Sequence, residues 1–377
     1  MATPGSEAEL AEFVRGARAP LRIVGGGTRL VGDAGEVLSL SALGGVELYE
    51  PGALTLVAAA GTPLAEIEAL LARESQQLAF EPMDHRGLLG TTGEPTVGGA
   101  VAANVSGPRR VQAGSCRDFL MGVRYVDGMG RVIRNGGRVM KNVTGYDLAR
   151  LMAGSWGTLG VLSEVALKVL PRAETEMTLS VGDVDAHGAV RAMSAALGSP
   201  FGVSGAAFDP GHAGGPAALI RIEGLEASLG YRAGRLEDLL GEFGAIARIG
   251  SEASAALWRA VRDVAAFHGL PGDVWRLSIK PSEAPAIAAR LGAGRLLLDW
   301  GGGLIWALVA EGTDLRARAG SFGGHATLVR GSAETRARLG MFQPEPAPLA
   351  AITRGLRARF DPRGLFNPGL MRAPAGA

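Results

Sequence analysis

One cysteine, Cys116, stands among 377 residues, so the chain can close no internal disulfide. No Cys/His grouping has zinc or iron–sulfur spacing. This scarcity fits a reducing compartment, and a cytoplasmic location is expected. Long apolar runs are missing as well. No stretch of about 18 uninterrupted apolar residues occurs, so no transmembrane helix is expected. The opening MATPGSEAELAEFVRGARAP has no basic region followed by an apolar core, so no secretory signal is expected. Neither sign of charge is in excess: 38 Lys and Arg face 37 Asp and Glu, a net charge of +1. That balance argues against a nucleic-acid partner, which usually demands a basic surplus. What remains is a soluble globular composition, 47% hydrophobic and 20% charged, in a chain long enough for two or three domains. Glycine is plentiful at 58 residues, so a short glycine run has to be judged by what accompanies it.

Residues 6–18 open with Ser6 and acidic residues and set Leu10, Phe13 and Val14 on one face, predicting a capped amphipathic helix. LRIV (21–24) and VLSLSAL (37–43) read as strands, and residues 45–61 as two strands meeting at Pro51-Gly52. Thr62 is the expected N-cap of a helix with Pro63 at its first position and Leu64, Ile67, Leu70 and Leu71 as its buried stripe. Further on come a hairpin around Asp127-Gly128, a helix near 146–153 opened by Tyr146-Asp147, and a strand near 160–170. Asp147 there suits the helix dipole, a structural role. After Pro171 the composition shifts, and residues 172–330 carry four of the five tryptophans. A boundary is therefore expected near 171, giving segments 1–171, 172–330 and a C-terminal helix and tail over 331–377. The order of elements is α+β, with no repeated βαβ unit.

The run LRIVGGGTRLVG follows a strand, and backbone N–H groups of a glycine turn can converge on a phosphate. It lacks a following helix and a Lys-Ser/Thr, so it fits neither common nucleotide fingerprint. A second glycine-rich stretch, PTVGGAVAANVSGPRR, supplies paired glycines with Asn104 and Ser106. Two such loops within one α+β module can grip a pyrophosphate from two sides through backbone N–H groups.

The loops RIVGGGTRL and PTVGGAVAANVSGPRR and the segment VMKNVTGYDLARLMAGSWGTLGVLSEVALKVLP, in that order, resemble the FAD-binding domain of the vanillyl-alcohol-oxidase (PCMH) type. NVSGPRR, VMKNVTGYDL, WRLS, DWGGGLIW, GGHATLVRG and FDPRGLFNPGLM are similar to the FAD-binding subunits of bacterial glycolate oxidase, from about residue 10 to 371. The resemblance implies two α+β subdomains in residues 1–171 with FAD between them. An α+β cap in 172–330 would cover substrate or dock a subunit. Gly25, Gly26, Gly27, Thr28 and Arg29 would face the pyrophosphate. Gly98, Gly99, Asn104, Ser106 and Gly107 would close on the diphosphate and ribityl region, Gly160 and Val161 would meet the adenine end, and Pro82 would lead into the flavin-side loop. The first loop has no His or Cys and Cys116 lies beyond GPRR, so FAD is expected to be non-covalent and Cys116 a packed residue. The five histidines include no close pair, so the metal-binding histidine cluster of the D-lactate and catalytic glycolate dehydrogenases is missing and no metal is expected. The resemblance also implies partners: a homologous flavoprotein subunit that carries substrate oxidation, and an iron–sulfur subunit. Through them the chain could dock at the inner membrane.

Oxidising a small 2-hydroxy acid needs a hydride acceptor, a base for the hydroxyl proton and a cation for the carboxylate. Arg276 in VWRLS and His325 in GGHATL are the leading candidates for cation and base, with Lys141 third. Arg276 beside Trp275 could equally just stack, and a single histidine is more often structural. Three roles stay open: the FAD-binding subunit of a complex taking glycolate to glyoxylate, a stand-alone 2-hydroxy acid dehydrogenase, or a non-catalytic scaffold.

Overall fold

A computed structural model describes residues 1–29, 34–138 and 145–372 of the chain. Ser6 accepts the Glu9 N–H and opens the helix Glu7–Gly16, whose Leu10, Ala11 and Val14 are buried, as the capped pattern predicts. Two short parallel strands follow, β1 (Leu21–Val24) and β2 (Glu36–Ser39). Next come β3 (Val46–Glu50) and β4 (Thr55–Ala59), joined by the turn at Pro51–Ala53. The helix Leu64–Arg73 buries Leu64, Ile67 and Leu71. Its expected cap differs: Pro63 holds the N-cap position, while the Thr62 hydroxyl bonds to the Ala59 carbonyl at 2.7 Å and to Gly45. A buried threonine needing its own partners does more good between two strands than at an exposed helix end.

The remaining strands of the first half are β5 (Gln76–Gln77), β6 (Leu120–Val126), β7 (Val132–Gly136), β8 (Val161–Lys168) and β9 (Leu170–Pro171). They complete an antiparallel five-stranded sheet ordered β3-β4-β8-β6-β7 and a small β5–β9 pair. Asp147 caps the helix Leu148–Met152 by accepting the Arg150 N–H, a structural role as expected.

Residues 175–330 build a second, eight-stranded sheet. Its strands are β10 (Thr175–Gly182), β11 (Val203–Asp209), β12 (Ala217–Gly224), β13 (Ile246–Ile249), β14 (Asp273–Ser278), β15 (Arg295–Asp299), β16 (Leu304–Val309) and β17 (His325–Arg330). The order is β13-β10-β12-β11-β15-β16-β14-β17, antiparallel throughout. One face carries helices and a core including Trp275, Leu277, Ala326 and Leu328. At the opposite face Trp306 of β16, Trp300 of the turn after β15 and Trp258 of the helix Ser251–Arg262 share a core with Met83, Leu88 and Val105 of the first half. The tail does not stop after its helix Ala347–Phe360. Leu365 and Phe366 join the first core, and beside β1 the Leu21 N–H donates to the Leu365 carbonyl while the Leu21 carbonyl accepts the Asn367 N–H. No helix among the described residues is long and apolar enough to cross a membrane.

Between the two sheets lies a buried network of four charges. Arg221 on β12 donates to both Glu81 oxygens at 2.9 and 3.0 Å, and Arg109 donates to both Glu223 oxygens at 3.0 and 2.6 Å. The Arg109 N–H also donates to Glu81 at 2.6 Å. Burial pushes the Glu81 and Glu223 carboxyls up, but the Arg221 and Arg109 guanidiniums hold both below the usual range. Removing one partner of such a network leaves uncompensated buried charge, at a cost of about 3–5 kcal/mol. Glu81→Ala is expected to lower the urea midpoint accordingly, and adding Arg221→Met to recover part of the loss, because the two sites share one interaction.

Candidate active site

The triglycine ends β1 and is wedged on one side against the chain before the second glycine loop. A Cβ on Gly26 would sit 1.5 Å from the Glu94 carbonyl oxygen, and one on Gly25 2.4 Å from the Thr96 hydroxyl. Gly27 has φ +73° with open space where a Cβ would be. On the other side the run lines a cleft of about 720 Å³ with Thr96, Gly98, Gly99, Trp156, Gly160 and Asn367. The backbone N–H groups of residues 25–29 have no hydrogen-bond partner among the described residues. Arg29 is buried at the end of the run with its Nη2 unpaired. No acidic side chain lines the cleft.

The second loop differs from the two-sided grip that its glycines suggest. Its N–H groups are used within the protein: Gly98 donates to the Ala60 carbonyl, Gly99 to the Thr96 hydroxyl and Gly107 to the Phe80 carbonyl. Asn104 accepts the Arg117 N–H, and the Ser106 hydroxyl accepts that of Cys116. Gly98 is glycine because a Cβ would meet Ala60 at 2.6 Å, and Gly160 because one would meet the Tyr125 ring at 2.7 Å. The glycine N–H groups of this loop serve the wall, whereas those of residues 25–29 have no partner among the described residues.

Beyond Arg29 a second cavity of about 1280 Å³ opens between the halves, bounded by His85, Arg110, Arg117, Arg276, Trp306 and His325 among others. No acidic side chain lines it either. Arg276 on β14 pairs with Thr327 on β17, and Ser278 with His325. All four line the cavity while Trp275 and Leu277 turn into the core, the two-residue alternation of a strand. Burial and the neighbouring Arg110 push Arg276 down to about 10, so it stays cationic at neutral pH. Burial, Arg276 and Arg110 hold the His325 imidazole below its usual value.

These observations can be set beside known proteins. Residues 1–136 match the family described as an FAD binding domain. The chain is 40% identical over 341 residues to the glycolate oxidase subunit GlcE of Escherichia coli (strain K12), covering 90% of this chain and 88% of that protein. It is 35% identical over 177 residues to a D-2-hydroxyglutarate dehydrogenase of Xanthomonas citri, covering 45% of this chain and 36% of that one. The alkyldihydroxyacetonephosphate synthase structure superposes with a TM-score of 0.70 at 16% identity, over 98% of this chain and 77% of its own, a likeness of fold. The chain belongs to the FAD-binding family of glycolate oxidase subunit GlcE.

The cofactor of this GlcE-family chain is FAD. Its residues fit the dinucleotide: a run of unpaired N–H groups and an orphaned buried guanidinium suit a diphosphate, and no carboxylate opposes it. Of the residues picked from sequence, 25–29, Gly98, Gly99 and Gly160 line the first cleft, and Arg29, Asn104, Ser106, Arg276 and His325 the second. Pro82, Gly107 and Val161 line neither: Pro82 is buried beside Met83, Gly107 serves through its backbone, and Val161 faces the core. Lys141 lies outside the described residues. Cys116 is fully buried, its thiol pushed up to about 12 by burial.

Sequence reasoning missed Asn367, His85, Arg110 and Trp300. Asn367 accepts the Ile23 N–H at 2.8 Å and donates to the Trp156 carbonyl at 2.8 Å, closing the first cleft; its Asn-Pro-Gly context read only as a stop. His85 sits where the clefts meet. Its Nδ1 is 3.3 Å from Arg29 Nε and 3.2 Å from the Met83 carbonyl. Burial and Arg29 push the ring down to about 3, so it is neutral. Arg29 Nε–H can only donate. A proton on Nδ1 would set two N–H groups against each other and leave a buried cation unsatisfied. Nδ1 therefore accepts, and Nε2 carries the hydrogen toward the cavity. Nitrogen NMR of histidine-labelled protein is expected to show His85 as the neutral Nε2–H tautomer from about pH 5 to 9, since its pKa lies far below its usual ~6.5. Arg29→Met should invert the tautomer by freeing Nδ1–H for Met83.

Asp299, behind Arg276, is pushed up to about 7 by burial while its Oδ1 accepts the Trp300 N–H at 2.7 Å. Its native pKa lies above the unfolded one, so the folded chain holds more protons, and stability falls as pH rises from about 4 to about 7. Asp299→Asn removes that dependence. Its melting temperature relative to wild type is expected to rise between pH 5 and pH 8 in thermal scans.

Proposed function

We propose that this FAD-dependent oxidoreductase is the FAD-binding subunit of a glycolate-oxidising complex, taking glycolate to glyoxylate and passing electrons on through partner subunits. The reading is carried by one observation: Arg276 and His325, from adjacent strands, face a cavity that shares Arg29 with the glycine cleft. The diphosphate of FAD would lie along Gly25–Arg29, held by N–H groups and Arg29, with its other end reaching the second cavity. Bound FAD supplies the hydride acceptor. Arg276 anchors the substrate carboxylate through its planar fork. His325 accepts the hydroxyl proton, and its neutral form persists below the usual histidine range. His85 donates from Nε2 without changing charge. The surrounding guanidiniums favour anions over neutral alcohols, and the Trp306 wall limits water.

Binding is non-covalent, supported by a first loop without His or Cys and by the inert, buried Cys116. Residues 1–171 would hold FAD, 172–330 would form the cap, and 331–377 would return to brace the first cleft. The partners would be a homologous flavoprotein subunit and an iron–sulfur subunit, and attachment at the inner membrane would run through them. Purified protein should release about one FAD per chain on denaturation, as a single diphosphate cleft implies. With its partners it should reduce an artificial acceptor with glycolate. His325→Asn should lower kcat by roughly 10²–10⁴-fold, the scale of a general base. The acid limb of the wild-type profile should fall below pH ~6.5. Flavin-free protein that takes up no added FAD would overturn the reading.

A further inference from the structure

Arg110 and Arg276 share one aromatic ring. The Arg110 guanidinium carbon lies 4.4 Å from the centroid of Trp300, and that of Arg276 lies 5.0 Å from it. They come from distant places in the chain, the turn Arg110–Ala113 after the second glycine loop and strand β14. Trp300 itself is fixed: its indole N–H donates to the Gly107 carbonyl at 3.0 Å, and its backbone N–H is held by Asp299.

Neither guanidinium makes a hydrogen bond or ion pair with any described residue, and both line the second cavity. Four other inward arginines of this chain are well supplied. Arg221 and Arg109 have Glu81 and Glu223; Arg316 meets the carbonyls of Ala326, Leu339, Gly340 and Met341; Arg330 meets those of Leu88, Gly272 and Leu270. The fold thus provides acceptors for those four cations and withholds them at this ring. Stacking on an indole compensates only a small part of the desolvation of a guanidinium. Two like charges drawn to one ring add repulsion, and Arg110 is among the causes that lower the Arg276 pKa. An anion with two oxygens resolves both problems, because each guanidinium can donate to it.

We propose that Arg110 and Arg276, registered by Trp300, form one clamp for a small carboxylate, and that Arg110 is a substrate-binding residue alongside Arg276. The proposal deepens the reading of the second cavity as a 2-hydroxy acid site and rests on it. Gly107 ties the clamp to the glycine loop, so the carboxylate is placed relative to the cleft that holds the cofactor.

The test uses FAD-loaded full-length protein and oxalate, a planar carboxylate that cannot be oxidised, in calorimetric titrations. Arg110→Met and Arg276→Met are each expected to weaken oxalate binding by about tenfold or more, with flavin content per chain unchanged and the melting temperature not lowered. Because the clamp acts as a unit, the double variant should lose much less than the product of the single losses. Arg110→Lys should recover part of the affinity, and Trp300→Phe more of it than Trp300→Leu. Unchanged oxalate affinity in Arg110→Met overturns the proposal, even where wild-type protein oxidises glycolate. Loss of flavin with unchanged oxalate affinity in the flavin-loaded fraction also overturns it, making Arg110 a cofactor ligand. Arginine-dependent oxalate binding in protein that oxidises no hydroxy acid, alone or with its partners, sustains the clamp and overturns the glycolate reading instead.

Discussion

The four-charge network of Glu81, Arg109, Arg221 and Glu223 is the constraint from which the geometry of the site follows. It lies where the two sheets face each other, and each half supplies one carboxylate and one guanidinium. Glu81 sits in the left-handed region at φ +46°, one residue after Phe80, whose carbonyl receives the Gly107 N–H. Arg109 is two residues beyond Gly107 and one before Arg110. Fixing Glu81 against Arg109 therefore fixes the end of the second glycine loop, and Gly107 in turn receives the Trp300 indole from the cap sheet. A hydrophobic interface would hold the halves together too, but it would tolerate sliding. Bidentate pairs between planar groups set a register.

Desolvation then gives that register electrostatic meaning. The walls of both clefts carry Arg29, Arg110, Arg117 and Arg276 with no acidic side chain among them. Across the interface only a short distance away, arginines are neutralised by carboxylates, so the imbalance is local. The whole chain is nearly neutral at +1. Charge segregation of this kind is invisible in a net charge, and a low-dielectric wall increases its effect on an anion inside. His85 moderates it by staying neutral while still offering a donor. An imidazolium there would add another positive charge beside Arg29.

How much of this could be read in the sequence differs by residue. Arg276 and His325 were picked by residue type alone; that both line one cavity follows from strand alternation, which sends Trp275 and Leu277 one way and Arg276 the other. The triglycine was legible once a second glycine loop was seen, although the two loops work differently. Gly98 and Gly107 are glycines for packing, and nothing in the letters separates a glycine that frees its N–H from one that merely fits under a carbonyl. Arg110 was hidden in GPRR, where its neighbour Arg109 is in a buried ion pair and Arg110 is not. That distinction depends on which strand faces the loop, a long-range fact. The cap of the helix Leu64–Arg73 failed for a similar reason, since the partners of Thr62 come from residues 45 and 59. Asn367 was unreadable because its partners Ile23 and Trp156 are 344 and 211 residues away.

The position of Arg29 links these observations. It belongs to the glycine run by sequence, yet it lines both clefts and donates to His85. Its Nη2 has no partner, and burial pushes it down to about 10. A still-charged guanidinium with a buried, unpaired Nη2 is costly, and an anion in either cleft would relieve it. One cation shared in this way links the two clefts: a diphosphate bound at Nη2 would leave Nε–H on His85, whose Nδ1 accepts it. The glycine loop and the second cavity are joined through these two side chains, Arg29 and His85.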